Sequence, residues 1–113
     1  MVHQRLLLMV CAYFISATTA LAEGDPNNGR QLAVASKCTG CHGMDGNARS
    51  TSFRVVPMLA GQPASYLVKE MQNYATGKRE DVSEKAAMSA AVKGLSQQDM
   101  EDIAAFYEAQ ARY

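Results

Sequence analysis

The feature that most constrains this chain is the pentapeptide Cys38-Thr39-Gly40-Cys41-His42. Two cysteines separated by two residues, with a histidine directly after the second, are the pattern by which c-type haem is attached to a protein. Side chains three residues apart on a helical turn lie on one face, about 5–6 Å apart, so both thiols can meet the two vinyl groups on one haem edge. The histidine then stands beside the porphyrin face. The motif therefore predicts one covalently bound haem c at Cys38 and Cys41, with His42 as an axial ligand of its iron.

Other uses of a cysteine pair fit this segment less well. A redox dithiol is expected after a strand in a parallel sheet, whereas the residues before Cys38 have a helical pattern and those after His42 a glycine-rich loop pattern. A structural zinc site needs four ligands, and residues 23–113 contain no Cys or His outside the pentapeptide. Haem attachment is the interpretation that the motif favours.

The first 22 residues have the pattern of a signal peptide. A short basic start is followed by an uncharged apolar run at 6–15 and by a small-x-small cleavage site, Ala-Leu-Ala, at 20–22. The apolar run is too short to favour a permanent membrane anchor. We expect residues 1–22, which include Cys11, to be removed on export, so that residues 23–113 form a single domain in the periplasm.

The charge of the mature segment argues against one class of partner. It carries ten Lys and Arg against eleven Asp and Glu, a formal charge of −1. Nucleic-acid binding needs a concentrated basic face, so no nucleic-acid partner is expected.

A domain this small buries only about 60–65% of its unfolded surface. A haem at the centre would supply the missing apolar core and two covalent bonds to it.

The rest of the sequence predicts helices and no strands. The predicted elements are a helix from Asp25-Pro26 toward Cys38, a long loop at 43–62, an amphipathic helix at 63–76 that Gly77 ends, a short Ala-rich stretch at 82–93, and a final helix that begins at Ser96. The final helix starts with a pattern like a capping box, Ser-Gln-Gln-Asp. Its predicted apolar stripe is Met100, Ile103, Ala104, Tyr107 and Ala111.

The order of these elements resembles the class I c-type cytochromes. The motifs that carry the resemblance are CHGMDGN at 41–47, PMLAGQ at 57–62, YL at 66–67, GKR at 77–79, LS at 95–96 and IAAFY at 103–107. They are similar to motifs of the bacterial single-haem and tandem dihaem periplasmic cytochromes, and the single haem motif indicates the single-haem form. The resemblance implies an all-α class I cytochrome c fold, with about four helices wrapped around one covalently bound haem, His/Met iron ligation and one-electron transfer.

The resemblance implies that the second axial ligand is a methionine, and ligation by two histidines is excluded within the mature segment because it holds only one histidine. Met44 lies too close to that histidine in sequence to reach the opposite haem face, and Met58 lies in the loop expected to cover the histidine side. Met71 and Met100 fall on apolar helix stripes, where core packing is the ordinary role. Met88 lies far enough along the chain, although a methionine in an Ala-rich segment is often core packing too. The resemblance places the ligand just before the Leu-Ser start of the last helix, and Met88 matches that place.

The resemblance also implies supporting roles. A loop proline whose carbonyl accepts a hydrogen bond from the ligating histidine matches Pro57, which is otherwise an ordinary turn proline. Gly29 matches a helix glycine that permits close approach of the last helix, with Phe106 packed against it. Residues that could contact the haem edge or its propionates, or simply lie at the surface, are Gln62, Tyr66 and Arg79.

The function implied by the resemblance is electron transfer with redox protein partners, whose identity the sequence does not give. No nucleophile, base or substrate pocket is visible, so the domain is not expected to be an enzyme. Two alternatives stay open. The domain could be the haem subunit of a larger periplasmic oxidoreductase rather than a monomeric carrier, or a haem sensor or peroxidase in which Met88 leaves the iron so that a ligand can bind.

Overall fold

The computed structural model describes residues 23–113, so the predictions made for residues 1–22 lie outside the described part of the chain. Residues 23–113 form five α-helices and one 3₁₀ turn, with no strand among them. The elements are α1 (Pro26–Ala35), α2 (Cys38–His42), α3 (Ala64–Thr76), the 3₁₀ turn Glu84–Ala86, α4 (Ala87–Val92) and α5 (Gln97–Glu108). The predicted all-α fold is confirmed. No helix within 23–113 has the length and apolar character needed to cross a membrane.

The helix ends follow local sequence signals. The Asp25 carboxylate accepts a hydrogen bond from the Asn27 backbone N–H at 2.9 Å and caps α1. Gly77 ends α3 in the left-handed conformation, with φ 75°. Ser96 and Asp99 form a reciprocal capping box at the start of α5. The long segment between α2 and α3 contains no helix, as the sequence predicts.

Helices α1 and α3 pack against α5, and their contact forms the hydrophobic core. The buried members of this core are Ala33, Leu67, Val68, Ile103, Ala104, Phe106 and Tyr107. The crossing of α1 and α5 is very close at Gly29, where a Cβ atom would lie 1.8 Å from the Asp102 carbonyl oxygen. The three atoms nearest to that Cβ position belong to Asp102 and Ile103, one turn before Phe106. The close approach is present as predicted, but the α5 backbone, rather than the Phe106 ring, makes the nearest contact.

A buried carboxylate, Asp102, ties the same crossing together. It accepts hydrogen bonds from the Asp25 backbone N–H at 2.8 Å, from the Asn28 side chain at 2.7 Å and from the Gln98 side chain at 2.9 Å. Burial raises the pKa of Asp102, but these hydrogen bonds outweigh it and hold the pKa below its ordinary value. The charged carboxylate therefore acts as a fixed acceptor between the two ends of the described chain.

The residues after α5 run back along the loop that follows α2. The Asn47 side chain donates a hydrogen bond to the Ala111 carbonyl at 2.8 Å and accepts one from the Tyr113 backbone N–H at 3.2 Å. The Tyr113 hydroxyl donates to the Asp45 carboxylate at 2.8 Å. Ala111 is exposed and lies outside α5, so its predicted place in the apolar stripe is wrong. The reason is that the chain leaves the helix after Glu108 to make these side-chain bonds.

Candidate haem-binding site

An open cavity lies between α2, α3, α4, α5 and the loop before α3. Its empty volume, including the open space at its mouth, is about 810 Å³. Most of its wall is apolar, and the aliphatic residues in it are Leu59, Leu67, Ala91, Val92, Leu95, Ile103 and Ala104. A large apolar plate fits such a space better than a hydrophilic ligand does.

A tight turn between α1 and α2 places the haem motif beside this cavity. The backbone N–H of Ser36 donates to the Leu32 carbonyl at 2.8 Å, and that of Lys37 donates to the Val34 carbonyl at 3.1 Å. Lys37 then takes the left-handed conformation, with φ 62°, immediately before α2 begins. The short helix that follows carries the two cysteines three positions apart, on neighbouring turns of one face.

His42 is the last residue of α2 and is almost fully buried in the cavity wall, with 3% of its surface exposed. Its Nδ1 lies 2.9 Å from the Pro57 carbonyl oxygen. A carbonyl only accepts, so Nδ1 must carry the proton and donate it, which leaves the lone pair of Nε2 free to bind a metal. Burial lowers the pKa of His42, and the bond to Pro57 offsets this only in part. The neutral imidazole is the form that ligates iron.

The two cysteines are free thiols with different exposure. Cys38 is half-buried and lines the cavity, whereas Cys41 is exposed and is not part of the cavity wall. Burial raises the pKa of the Cys38 thiol, the backbone hydrogen bond lowers it, and the neighbouring Cys41 raises it further. The structure thus gathers Cys38, His42, Pro57 and Met88 around one cavity and leaves Cys41 on its outer side.

Three methionines line the cavity: Met58, Met71 and Met88. Met100 is buried and is not a wall residue, and Met44 is 59% exposed. Met71 packs against the core as predicted, but it also reaches the cavity. It can do both because the core and the cavity share the inner face of α3.

Met58 and Met88 belong to different structural elements of the cavity wall. Met58 directly follows Pro57, whose carbonyl binds the histidine, so Met58 belongs to the histidine side of the cavity. Met88 lies on α4, which packs against α3, while the histidine lies on α2, which packs against α1. Met88 therefore contributes to the cavity from an element other than those that hold the histidine.

The segment before α4 contains two residues, Asp81 and Ser83, whose side chains bond to the backbone and which the sequence analysis did not single out. Lys85 and Ala86 both take the left-handed conformation, with φ 54° and 52°, which costs a non-glycine residue about 1–2 kcal/mol. The side chains of Asp81 and Ser83 bond to the backbone of this segment and of α4. The Asp-x-Ser pattern is typical of a side-chain turn and was the available signal.

Gln62, Tyr66 and Arg79 all line the cavity, as expected for residues near a haem edge. Arg79 forms an ion pair with Glu70, and its guanidinium lies 4.8 Å from the centre of the Tyr74 ring. Since Glu70 also lines the cavity, the positive charge of Arg79 is paired within this part of the wall.

The Tyr107 hydroxyl is the one buried side-chain polar atom in residues 23–113 that has no hydrogen-bond partner. Tyr107 lines the cavity and is 1% exposed. A buried hydroxyl without a partner costs about 1–3 kcal/mol, so it fits a site that is completed by a further group. The apolar wall, the Cys38 thiol, the free Nε2 and this hydroxyl together fit a haem.

Residues 26–109 match the family model described as cytochrome c. The chain belongs to the cytochrome c family. Cytochrome c4 of Pseudomonas aeruginosa is 36% identical over 103 residues, which cover 91% of this chain and 48% of that protein. Cytochrome c4 of Stutzerimonas stutzeri is 40% identical over 97 residues, 80% of this chain and 43% of that protein. Cytochrome c-554(548) of Halomonas halodenitrificans is 38% identical over 73 residues, 65% of this chain and 83% of that protein.

These matches confirm the resemblance to class I c-type cytochromes and the predicted cofactor, one covalently bound haem c. The chain spans about half the length of the cytochromes c4 that it matches. As a c-type cytochrome, the domain belongs to a class of proteins that transfer electrons rather than transform a substrate, in agreement with the prediction that it is not an enzyme.

Proposed function

We propose that this cytochrome c domain is a periplasmic one-electron carrier whose haem is bound by Cys38 and Cys41 and whose iron is ligated by His42 and Met88. The observation that carries the proposal is the meeting of Cys38, His42 and Met88 in the wall of one apolar cavity. Cys38 and His42 come from α2 and Met88 from α4, and at least 45 sequence positions separate the residues of these two helices. The fold brings them to one cavity.

The Pro57 carbonyl sets the orientation of His42 in this proposal. The hydrogen bond from Nδ1 fixes the tautomer and the ring, and it raises the basicity of the ring toward a metal. Burial lowers the pKa of His42 and thereby favours the neutral imidazole that a metal requires. Pro57 is therefore a positioning residue for His42.

The second ligand would be the Met88 thioether. When bound, the haem would supply one-electron chemistry, and ligation by a histidine and a methionine would favour its ferrous state and raise its reduction potential relative to ligation by two histidines. The aliphatic wall would limit the access of water to both ligands, and two permanent protein ligands would leave little to reorganise when the charge of the iron changes. These are properties of a carrier rather than of a catalyst with an open metal position.

Met88→Ala tests the ligand assignment. Oxidised wild-type protein should show the weak near-infrared band of sulfur-to-ferric charge transfer, and Met88→Ala should abolish it and lower the reduction potential. The matched controls are Met58→Ala and Met71→Ala, which remove the other two methionines of the cavity wall, and Met100→Ala, which removes one from the core. The assignment is wrong if the band survives Met88→Ala and disappears in one of the controls.

Two further measurements test attachment and export. Haem should resist extraction with acid-acetone in the wild-type protein, and Cys38→Ala or Cys41→Ala should lower the yield of holoprotein because each removes one thioether. The intact mass of the exported protein should equal residues 23–113 plus one haem. A mass that retains the apolar run at 6–15 would point to an anchored protein instead.

The partners in this proposal are redox proteins that donate and accept single electrons, with the domain acting as a free carrier or as the haem subunit of a complex. Co-purification with a flavin, quinone or metal subunit would favour the complex. A ferrous spectrum that does not change on addition of carbon monoxide would exclude the sensor and peroxidase alternative, because a carrier keeps both ligands bound.

A further inference from the structure

The start of α4 is held by two side chains that precede it in the sequence. The Ser83 hydroxyl oxygen accepts a hydrogen bond from the Met88 backbone N–H at 3.2 Å. The Asp81 carboxylate accepts one from the Ser89 backbone N–H at 2.7 Å and one from the Ser83 backbone N–H at 3.0 Å. It also accepts a hydrogen bond from the Ser83 hydroxyl itself. Asp81, Ser83 and the backbone of residues 88 and 89 thus form one connected unit, which we call the Asp81–Ser83 clamp.

Helix α4 needs this clamp because it has little means of its own to stay in place. It is six residues long, and helices this short are not stable in isolation. The first N–H groups of any helix lack partners within the helix, and the residue before α4, Ala86, has no side chain that could cap them. Met88 and Ser89 are the second and third residues of α4, which are the positions where a cap ordinarily bonds. The clamp supplies from residues 81 and 83 the partners that the local sequence lacks.

The backbone that enters α4 adds a reason for the clamp. Lys85 and Ala86 have the left-handed backbone conformation, which is unfavourable for residues other than glycine and persists only where neighbouring bonds fix the backbone. Two backbone turn bonds also lie in this stretch: the Ala86 N–H donates to the Ser83 carbonyl at 3.1 Å, and the Ala87 N–H donates to the Glu84 carbonyl. Ser83 therefore contacts this stretch through its carbonyl as well as through its hydroxyl.

The carboxylate of the clamp is charged under ordinary conditions. Burial raises the pKa of Asp81, but the hydrogen bonds from Ser83 and Ser89 outweigh it and lower the pKa to about 2. Hydrogen bonds to an ionised acceptor are shorter and stronger than those between neutral groups. The hydrogen bonds that Asp81 accepts in the clamp are therefore bonds to an ionised carboxylate.

We propose that Asp81 and Ser83 are positioning residues that hold the Met88 thioether in the haem cavity and slow its departure from the iron. The inference rests on the proposed function, in which Met88 is the second axial ligand. A methionine side chain is flexible, with three rotatable bonds of its own, so its position depends on how firmly its backbone is fixed. Loss of the clamp should free the backbone of Met88 without removing the sulfur.

The test compares ligand exchange in ferric holoprotein carrying Ser83→Ala, Asp81→Ala or Asp81→Asn. Imidazole can bind the iron only after the thioether leaves, so the saturating rate of imidazole binding reports that departure. Ser83→Ala should raise the rate about fivefold or more, because it removes the bond from the Met88 N–H and also the bond that the hydroxyl donates to Asp81. Asp81→Ala should raise it tenfold or more, as expected for the loss of charge-assisted bonds. Asp81→Asn keeps a carbonyl acceptor and should fall between wild type and Asp81→Ala. It also serves if Asp81→Ala yields too little holoprotein to measure.

The matched control is Ser96→Ala, which removes the same kind of bond at the start of α5, where the Ser96 hydroxyl accepts from the Asp99 N–H at 3.0 Å. Its rate should stay within twofold of wild type even if its unfolding midpoint drops as far as that of Ser83→Ala. Equal rates in Ser83→Ala, Asp81→Asn and Ser96→Ala would overturn the clamp. If Met88→Ala leaves the near-infrared band in place, the ligand assignment fails instead, and the clamp falls with it.

Discussion

The crossing of α1 and α5 gives the sharpest stability prediction, the effect of Gly29→Ala. A Cβ atom at this position would lie 1.8 Å from the Asp102 carbonyl oxygen and 2.4 Å from its carbonyl carbon. Both are backbone atoms of a helix, so no side chain can rotate away to make room. To restore an ordinary separation, α5 must retreat by about 1.6 Å from α1.

That retreat would disrupt the bonds that join α1 to Asp102. The Asp25 N–H and the Asn28 side chain reach this carboxylate at 2.8 and 2.7 Å, and neither bond survives such a shift at full strength. Hydrogen bonds to charged groups contribute about 1.5–3 kcal/mol each, and overpacking adds about 1–3 kcal/mol. The better helix propensity of alanine returns about 1 kcal/mol. With both bonds counted in full, these contributions amount to about 3–8 kcal/mol. Because the bonds are weakened rather than lost, we expect Gly29→Ala to lower the free energy of unfolding by an amount in the lower part of that range, about 3–5 kcal/mol.

The measurement is denaturant unfolding of the holoprotein, followed by circular dichroism at 222 nm (a helix signal) and by haem absorbance. The matched control is Gly94→Ala, because nothing lies within 4 Å of a Cβ at Gly94 and its φ is not left-handed. The control should stay within about 1 kcal/mol of wild type. A loss below 1 kcal/mol in Gly29→Ala would refute the idea that direct backbone contact at Gly29 sets the packing of α5.

Three further predictions concern single residues. Ala86→Gly should raise the free energy of unfolding by up to about 1 kcal/mol, because it relieves a left-handed alanine at the cost of chain entropy; a lower urea midpoint would contradict this. The pKa of Asp102 is lowered by folding, so its ionised form adds stability above the ordinary value of 3.8, and this contribution is lost as the pH falls through the folded-state pKa. Asp102→Asn should therefore be less stable at pH 7 and show a flatter loss of stability in acid, and an unchanged acid limb in urea titrations would count against it. Asn47→Ala should cost about 1–3 kcal/mol through its two lost bonds to the terminal segment, and thermal unfolding should show it as a lower Tm.

The parts of the fold that follow from local signals could be predicted from the sequence. Asp25, Gly77 and Ser96 act within one turn of themselves, so they mark helix ends without knowledge of the rest of the chain. The helical stripe of α3 gave the correct inward face for Met71. It could not show that this face serves two neighbours, the core and the cavity, because periodicity identifies a face and not what covers it.

The parts that depend on distant partners could not be predicted. Ala111 fits the period of α5, yet its carbonyl bonds to Asn47, which lies 64 positions earlier in the chain. The Asp-x-Ser pattern indicates a side-chain turn at Asp81 and Ser83, but the sequence gives no sign of the left-handed conformation of Lys85 and Ala86 that lets this turn reach the start of α4. In each case a side chain bonds to the backbone of another segment, and the periodicity of a helix or strand does not predict such bonds.

The bond between the Asp25 N–H and the Asp102 carboxylate joins residues 77 positions apart. Closing a chain segment of that length costs about 4 kcal/mol of entropy beyond a constant, and contacts this remote in sequence slow folding. Ile103, Ala104 and Tyr107 reach the cavity only after that closure, because they are carried by α5. The cavity is therefore complete only when α5 has docked on α1, and a group bound in the cavity would stabilise that long-range contact.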